Sequence, residues 1–271
     1  MQMGVKVVRL DEAFSASAQP VDSLPEKPAG SVSGDAGYGF ALSPQTNASA
    51  TAINRLTKAG IEVQRSEAAF SADNREFPLG TYIVRNEGRS TRHQVEQLAE
   101  GLGLEFSGLS EAPEVSLTQQ EAVQVGLYKS WVANMDEGWT RWLLENYEFE
   151  LENLSDADIR TADLSRFDAI ILPSQNADSI LTGNAPGTMP EEYVGGIGLA
   201  GALALENFVS RGGTLVTLDA ASDFAIRQFG LPIENTVAGT TDRQFFIPGS
   251  LMRTEVDTSH PLAAGMEEEL A

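Results

Sequence analysis

Ser222, His260 and an aspartate, either Asp257 or Asp219, have the side-chain types of a hydrolytic triad. In such a triad the histidine removes the proton of the serine hydroxyl, and the carboxylate orients the histidine. Ser222 also stands where a helix is expected to begin, and serine is a preferred helix N-cap. His260 precedes Pro261 in a predicted turn. We therefore expect Ser222 to cap a helix, and a degenerate hydrolase that uses Ser222 and His260 is the alternative.

His93 and Glu96 form a second pair that could do chemistry, because side chains three residues apart on a helix share a face. Imidazole and carboxylate groups placed in this way can bind zinc together. The helix that carries them is amphipathic, with Val95, Leu98 and Leu102 expected on its buried side. We therefore interpret the pair as a solvated helix face and predict no metal site in this chain.

The strongest signal for a binding site is aromatic. All three tryptophans lie within twelve residues, directly after a predicted strand, and charged side chains are interleaved with them. Indole rings combine apolar area with an N–H donor, which suits the recognition of a peptide or a sugar. The alternative is that Trp139 and Trp142, three apart on a helix, pack against the sheet, which leaves Trp131 as the better candidate for exposure. The predicted ligand-binding residues in this segment are Trp131, Asp136, Glu137, Trp139 and Arg141.

A glycine-rich segment at residues 193–198 (YVGGIG) precedes a predicted helix. Free backbone amides at a helix start attract anions, so the segment could cradle a phosphate. It lacks the lysine of a nucleotide-binding loop and the preceding strand of a dinucleotide fingerprint. We therefore predict that it is a tight structural entry to the helix.

Residues 198–222 contain the predicted helix and strand that would position these side chains. An apolar helical stripe is followed by Gly212 and Gly213 as a stop, and by a short β-rich strand at 214–218. Ligands of open parallel sheets bind in the crevice beyond the carboxyl ends of the strands. Asp219 and Ser222, which follow this strand, therefore join the predicted ligand-binding residues, with His260 as their candidate partner.

The second part of the chain, residues 120–271, is predicted to be one α/β domain, because strands and helices alternate along it. The long segment 175–198 is expected to be a functional loop or a lid. Predicted strands are at 123–128, 148–151, 168–172, 214–218 and 251–256, and further helices are at 136–147, 156–162 and 223–229.

Residues 1–115 are predicted to be a smaller α/β region, separated from the second part by a polar stretch at 111–120. An internal repeat relates residues 4–16 to residues 60–72 as two copies of a strand-turn unit. A loop rich in Pro, Ser and Gly is expected at 17–37. Helices are predicted at 48–59, with Asn47 or Ser49 as the cap, and at 91–102, and strands at 38–42, 61–65 and 80–85 with a turn at Asn74.

Composition narrows the possible functions. The formal net charge of −21 over 271 residues argues against nucleic acids and anionic membranes, which require clustered basic side chains. The absence of cysteine excludes disulfides and cysteine nucleophiles. The sequence contains no apolar run of eighteen residues or more, so we predict no membrane insertion. Abrupt ends lead us to expect a segment of a longer protein.

Seven segments in order resemble one family: residues 125–131, 135–142, 156–160, 192–198, 212–216, 246–251 and 256–262. They are similar to the C-terminal region of large bacterial zinc carboxypeptidase-like proteins of the carboxypeptidase A type, in which a class I glutamine-amidotransferase-like domain follows the peptidase. The resemblance covers residues 120–266, and a looser one covers residues 36–90. It implies an open, mostly parallel, flavodoxin-like sheet with helices on both faces, preceded by the smaller α/β region.

The resemblance also implies a function. Glutamine amidotransferases attack with a cysteine on the turn after a strand, and the corresponding turn here, residues 218–222, has none. We expect a non-catalytic accessory or binding domain, with a degenerate hydrolase or a structural scaffold or dimerisation domain as alternatives. The parent would be a secreted or periplasmic metallocarboxypeptidase whose zinc belongs to residues upstream of Met1. The expected partners are that peptidase domain and a peptide or glycan.

Overall fold

The computed structural model describes residues 11–17, 19–20, 22–23, 28–248, 252–263 and 265–270. Contacts divide the chain into two compact units, one of residues 1–121 with 247–271 and the other of residues 122–246. The first copy of the predicted repeat, from Gly4, lies mostly outside the described residues. The second copy contains two short strands of the first unit.

The first unit is built on a six-stranded mixed sheet in the order β1-β7-β2-β6-β3-β8. β1 pairs in parallel with β7, and the other neighbours are antiparallel. The central strands are buried on both faces, since Phe40 and Ala41 of β2 belong to separate apolar clusters. The strands are β1 (Ser31–Ser33), β2 (Gly39–Leu42), β3 (Val63–Ser66), β4 (Phe70–Ala72), β5 (Arg75–Phe77), β6 (Tyr82–Arg85), β7 (Glu105–Leu109) and β8 (Leu117–Gln120).

Two helices of the first unit, α1 (Asn47–Lys58) and α2 (Arg89–Leu102), contribute their apolar faces to the cluster that contains Phe40. The predicted cap of α1 is wrong, because the N-cap position is Thr46 and no side chain bonds the free amides there. Ser49 instead donates its hydroxyl to the Ser43 carbonyl at 2.7 Å. The predicted stop of α2 is confirmed, because Gly103 follows the helix in the left-handed conformation at φ 70°.

A hairpin of β4 and β5 confirms the predicted turn near Asn74. Asp73 and Asn74 adopt positive φ angles of 49° and 60°, which Asp and Asn tolerate better than most residues. Phe70 and Phe77 stack across the hairpin with ring centroids 4.9 Å apart. This stacking fixes the register of two strands that are otherwise short and polar.

The polar stretch predicted as a domain boundary contains strand β8, which pairs with β3 in the first sheet. The loop predicted at 17–37 likewise contains β1. Both strands join the sheet through backbone hydrogen bonds, which polar segments form as readily as apolar ones. Their polar side chains therefore conceal them from a search for apolar periodicity.

The second unit contains a four-stranded sheet whose pairings are all parallel, in the order β10-β9-β11-β12. The prediction of a mixed α/β protein with a parallel sheet is confirmed. Gly126 in β9 permits close packing, since a Cβ atom there would lie 2.6 Å from Cδ1 of Leu154. The strands are β9 (Gln124–Tyr128), β10 (Glu150–Leu154), β11 (Ala169–Leu172) and β12 (Thr214–Thr217).

Apolar side chains of α4 to α7 form the core on one face of this sheet, while α3 contacts β9 and β10. Val216, on the other face of β12, is 36% exposed. Helices were predicted on both faces of the sheet, and along β12 no helix of the described residues covers this second face. The segment predicted as a loop at 175–198 contains α5 and a 3-10 turn at Glu191–Tyr193. The helices are α3 (Met135–Asn146), α4 (Asp156–Thr161), α5 (Ala177–Thr182), α6 (Gly198–Ser210) and α7 (Ser222–Phe229).

The described C-terminal segment contains two more strands, β13 (Thr254–Glu255) and β14 (Glu269–Leu270), which pair antiparallel. Within the predicted strand at 251–256, only these two residues are in a strand, and Leu251 lies outside the described residues. Contacts group this segment with the first unit, whereas the sequence interpretation placed it in the second.

Candidate functional site

Polar and aromatic side chains follow the strands of the parallel sheet at its carboxyl edge. Three strand ends are joined there by a series of side-chain contacts. Because parallel strands end at the same edge, residues far apart in sequence meet there, and ligands of such sheets bind beyond it. We call this group the carboxyl-edge site, and it comprises Trp131, Asn134, Ser174, Gln175, Tyr193 and Asp219.

A buried pair beneath the carboxyl-edge site holds its aromatic part in place. Tyr128, at the end of β9, donates its hydroxyl to Oδ1 of Asp156 at 2.7 Å, and both residues are only 1% exposed. Asp156 also accepts the Trp131 backbone N–H through Oδ2 at 3.3 Å. The Asp156 carboxylate therefore links the ends of β9 and β10 to the Trp131 loop.

Burial sets the protonation of this pair. Loss of solvent raises the pKa of the Asp156 carboxyl, although the hydrogen bonds from Tyr128 and from the Trp131 backbone oppose the shift. Burial, followed by the repulsion of the nearby Asp156 charge, raises the pKa of the Tyr128 hydroxyl. Tyr128 thus stays protonated and remains a hydrogen-bond donor to the carboxylate.

Trp131 and Tyr193 form the aromatic part of the carboxyl-edge site. Their ring centroids are 4.8 Å apart, and the ring planes meet at 72°. Edge-to-face contacts of this kind are favourable for aromatic rings. Trp131 remains 41% exposed, so a large ring is held in a defined orientation and is still open to solvent.

Two amides connect the Trp131 loop to the end of β11. Asn134 accepts the Asp136 backbone N–H through Oδ1 at 2.9 Å and thereby caps α3. Its Nδ2 is then left to donate to Oε1 of Gln175, at 3.4 Å. Within the described part of the chain, the buried Nε2 of Gln175 has no hydrogen-bond partner. An unmet buried donor costs about 1–3 kcal/mol, so this amide group lowers the stability of the fold.

The end of β12 contributes Asp219. Ser174 donates its hydroxyl to Oδ2 of Asp219 at 2.8 Å, which joins the ends of β11 and β12. Asp219 is exposed and has a positive φ of 45°, an unusual conformation for a residue other than glycine. The turn after β12 therefore presents a carboxylate to solvent at the carboxyl edge.

Ser222 differs from its prediction as a helix cap. It is the first residue of α7, the N-cap position is Ala221, and no side chain caps the helix. The Ser222 hydroxyl donates instead to the Thr217 carbonyl at 3.3 Å. The Ser222 hydroxyl is therefore bonded to the last residue of β12, the strand that precedes α7.

His260, predicted as the partner of Ser222, belongs to the first unit. Its Nδ1 accepts the Leu262 backbone N–H at 3.2 Å, and its own backbone N–H donates to the Asp257 carbonyl at 3.1 Å. Asp257 accepts the Ser259 hydroxyl at 2.6 Å, and this bond holds the pKa of the Asp257 carboxyl below its ordinary value. These contacts form the turn predicted before Pro261.

Four predicted site residues lie on α3. Glu137 is buried and accepts a hydrogen bond from Arg141 at 3.0 Å, and Asp136 is exposed in the first turn. Trp139 packs edge-to-face on Trp142, with centroids 6.1 Å apart. These two tryptophans are 61% and 57% exposed, so the alternative in which they pack against the sheet is wrong.

The glycine-rich segment enters α6 through close backbone packing. Gly183 has a φ of 57°, and a Cβ atom there would lie 1.9 Å from the Gly195 carbonyl oxygen. The Ile197 N–H donates to the Ile180 carbonyl at 3.0 Å, which ties the segment to α5. These contacts agree with the predicted structural entry to the helix.

His93 and Glu96 lie on an exposed face of α2, where Glu96 pairs with Arg92 at 3.6 Å. In the part of the chain that the structure describes, no group of three or more His, Asp or Glu side chains is arranged to hold a metal ion. The described residues also contain no helix that is both long enough and apolar enough to cross a membrane.

A cavity of about 640 Å³ lies at the amino end of β11 and β12, where Asp168, Arg211 and Thr214 line it. It is therefore at the opposite edge of the sheet from the carboxyl-edge site. Its lining combines two aspartates, Asp163 and Asp168, with one arginine, Arg211.

The chain matches no family model, and neither a curated protein nor a solved structure matches it. The inference of a binding site therefore rests on the geometry of the carboxyl edge alone. Of its members, the sequence interpretation named Trp131 and Asp219 as binding residues. Asn134, Ser174, Gln175 and Tyr193 were missed as binding residues. The first three each stand between a predicted strand end and the next element, and this position was the available signal.

Proposed function

We propose that this chain is a non-catalytic accessory region that binds a partner or ligand at its carboxyl-edge site. The observation that carries the proposal is the set of three side-chain contacts at the carboxyl edge, Trp131 with Tyr193, Asn134 with Gln175, and Ser174 with Asp219, whose segments follow the ends of three strands. It combines an exposed ring with polar atoms, which is the usual lining of a binding site. The Ser222 hydroxyl, turned toward Thr217, supports binding rather than nucleophilic attack.

We also propose that the second unit has the class I glutamine-amidotransferase-like fold. The order β10-β9-β11-β12 becomes 2-1-3-4 when the strands are numbered within the unit, and this agrees with the first four positions of a flavodoxin-like sheet. The five ordered motifs between residues 125 and 216, which all lie in this unit, support the same assignment.

The parent protein on this proposal is a secreted or periplasmic metallocarboxypeptidase. Its zinc belongs to the peptidase domain upstream of Met1, and that domain is the proposed partner of this chain. The support is the resemblance of the seven motif segments. The accessory region would then act by positioning a ligand or the peptidase domain.

Hydrolysis assays test the non-catalytic assignment. The purified chain is incubated with glutamine, with peptides that have free C-terminal residues and with an activated ester, beside the Ser222→Ala and His260→Ala variants. We expect the same background rate from all three proteins. Turnover by the wild-type chain that either substitution abolishes would establish the degenerate hydrolase instead.

A scaffold or dimerisation domain is the second candidate, and one observation favours it. Met135, Trp139, Trp142 and Leu143 recur at helical spacing on α3, and all are exposed. Exposed apolar residues at such positions are typical of helices that dock on a partner. Light scattering during gel filtration tests this candidate: a dimer that becomes a monomer in a Trp139→Ala, Trp142→Ala double variant would support it, and a monomeric wild-type chain would oppose it.

A further inference from the structure

The exposed ring of the carboxyl-edge site is anchored in a fixed orientation. The Tyr193 ring supports Trp131 at 4.8 Å, and the Asp156 carboxylate accepts the Trp131 backbone N–H at 3.3 Å. A ring fixed in this way loses little conformational entropy when a ligand stacks on it. The face of an indole ring is also electron-rich, and it attracts cations.

The segments of the carboxyl edge carry exposed carboxylates. The 3-10 turn that carries Tyr193 also carries Glu191 and Glu192, both of which are exposed. Asp219 is exposed and already accepts the Ser174 hydroxyl, so an acceptor oxygen is oriented at the end of β12. The four segments that form the edge, residues 129–134, 174–176, 191–193 and 217–222, contain a single basic residue, Lys129.

The net charge of the whole chain also favours a cationic ligand. A formal net charge of −21 attracts cations and repels anions over distances beyond direct contact. A phosphate group or a free peptide carboxylate would meet repulsion at this edge, and a neutral sugar would gain nothing from the field. A lysine or arginine side chain would gain from the ring, from the Asp219 carboxylate and from the field together.

We propose that the carboxyl-edge site takes a peptide segment that carries lysine or arginine side chains. This inference rests on the proposed binding function and specifies its ligand. The cationic group lies over the Trp131 ring, and Asp219 accepts a hydrogen bond from a lysine or arginine of the peptide. Asp156 is a positioning residue, because it acts through the backbone of the Trp131 loop.

Isothermal titration of the full chain with trilysine, triglycine and chitotriose tests the ligand class. We expect saturable one-to-one binding of trilysine that weakens with added salt, and no saturation with triglycine or chitotriose. Trp131→Ala and Asp219→Asn should each weaken trilysine binding roughly three- to thirty-fold. Trp131→Phe keeps a ring and should lose less, which separates the role of the ring from any loss of folding.

Two substitutions serve as matched controls for the general attraction of an acidic protein. Trp142→Ala removes an exposed tryptophan from α3, and Glu206→Gln removes an exposed carboxylate from α6. We expect both to change trilysine binding less than about two-fold, since they lie outside the carboxyl-edge site. Equal losses in the controls and in the site variants would overturn the proposal.

The remaining outcomes separate this proposal from the proposed function. Binding of chitotriose that Trp131→Ala abolishes, without binding of trilysine, would overturn the peptide assignment and keep the binding function. Absence of binding by trilysine would also overturn the assignment. Hydrolysis that depends on Ser222, measured in the same protein preparation, would overturn the proposed function itself.

Discussion

Among single residues, the buried pair of Tyr128 and Asp156 does most to hold the Trp131 loop in place. A carboxylate that is 1% exposed is costly, and its two hydrogen bonds offset part of that cost. Such a group is tolerated when it fixes a geometry that packing alone would not specify. Here it fixes the loop that presents Trp131.

Tyr128→Phe tests how much the buried hydrogen bond stabilises the second unit. The substitution removes the donor and leaves the Asp156 carboxylate with one partner fewer, so we expect a loss of about 1–3 kcal/mol in the free energy of unfolding. Urea denaturation provides the measurement. Tyr193→Phe keeps its ring on Trp131 and serves as the control, with an expected change below about 0.5 kcal/mol. Equal stability of Tyr128→Phe and wild type would show that the pair does not support the fold.

The pH dependence of stability tests the environment of Asp156. Burial raises the pKa of this carboxyl above its ordinary value of 3.8, so the folded state binds the proton more tightly than the unfolded chain does. The resulting stabilisation is fully present below the unfolded pKa and is lost as the pH rises through the folded pKa. Asp156→Asn removes this titration.

We therefore expect the stability of Asp156→Asn relative to wild type to increase between about pH 4 and about pH 7. Urea denaturation at several pH values measures the difference. Asp242→Asn, at an exposed position, controls for the loss of one negative charge from an acidic chain. A relative stability that falls with pH in this range would mean that Asp156 is better stabilised as a charged group than its burial indicates.

At the scale of secondary structure, the close packing of β9 against its neighbours allows a direct test. A Cβ atom at Gly126 would lie 2.6 Å from Cδ1 of Leu154 and 3.3 Å from Cγ1 of Ile170, both of them fully buried. We expect Gly126→Ala to cost about 1–3 kcal/mol in urea denaturation through overpacking.

Gly138 on α3 is the matched control, because a Cβ atom there meets no atom within 4 Å. Alanine is a better helix former than glycine, so Gly138→Ala should stabilise the protein by up to about 1 kcal/mol. A Gly126→Ala variant as stable as Gly138→Ala would contradict the packing described for β9.

The elements also show how much the sequence could predict. The strands β9 and β11, with apolar residues in succession, and the helices α1, α2 and α6 were predicted within a few residues of their bounds. Strand β8 was missed because Leu117 is its only apolar residue, and α5 was missed because six residues carry too little periodicity. The sequence left the exposure of Trp139 and Trp142 open, because an apolar helical stripe does not say whether it faces the sheet or solvent.

The sequence predicted at which edge of the sheet the candidate site lies, but it did not predict most of the residues that form the site. The rule for carboxyl ends located Trp131 and Asp219, since both follow predicted strands. The contacts of Tyr193 with Trp131 and of Asn134 with Gln175 depend on the packing of loops, which no local pattern encodes. Ser222 failed as a cap because α7 begins one residue earlier than a serine cap requires.

At the scale of the whole molecule, charge and exposed apolar surface describe a protein suited to contacts with others. The charge of −21 attracts cations, and the exposed apolar residues of α3 offer a second surface for contacts. The two surfaces can serve different partners, with the proposed basic peptide at the edge and, in the dimerisation alternative, a second copy of the chain at α3.

The most direct test of the central claim is a nuclear magnetic resonance titration of the three indole N–H signals with trilysine. Single Trp→Phe variants assign each signal to its residue. We predict that the Trp131 signal shifts and saturates, while the signals of Trp139 and Trp142 stay in place. A titration that moves the α3 signals and leaves Trp131 unchanged would contradict a binding site at the carboxyl edge of this sheet.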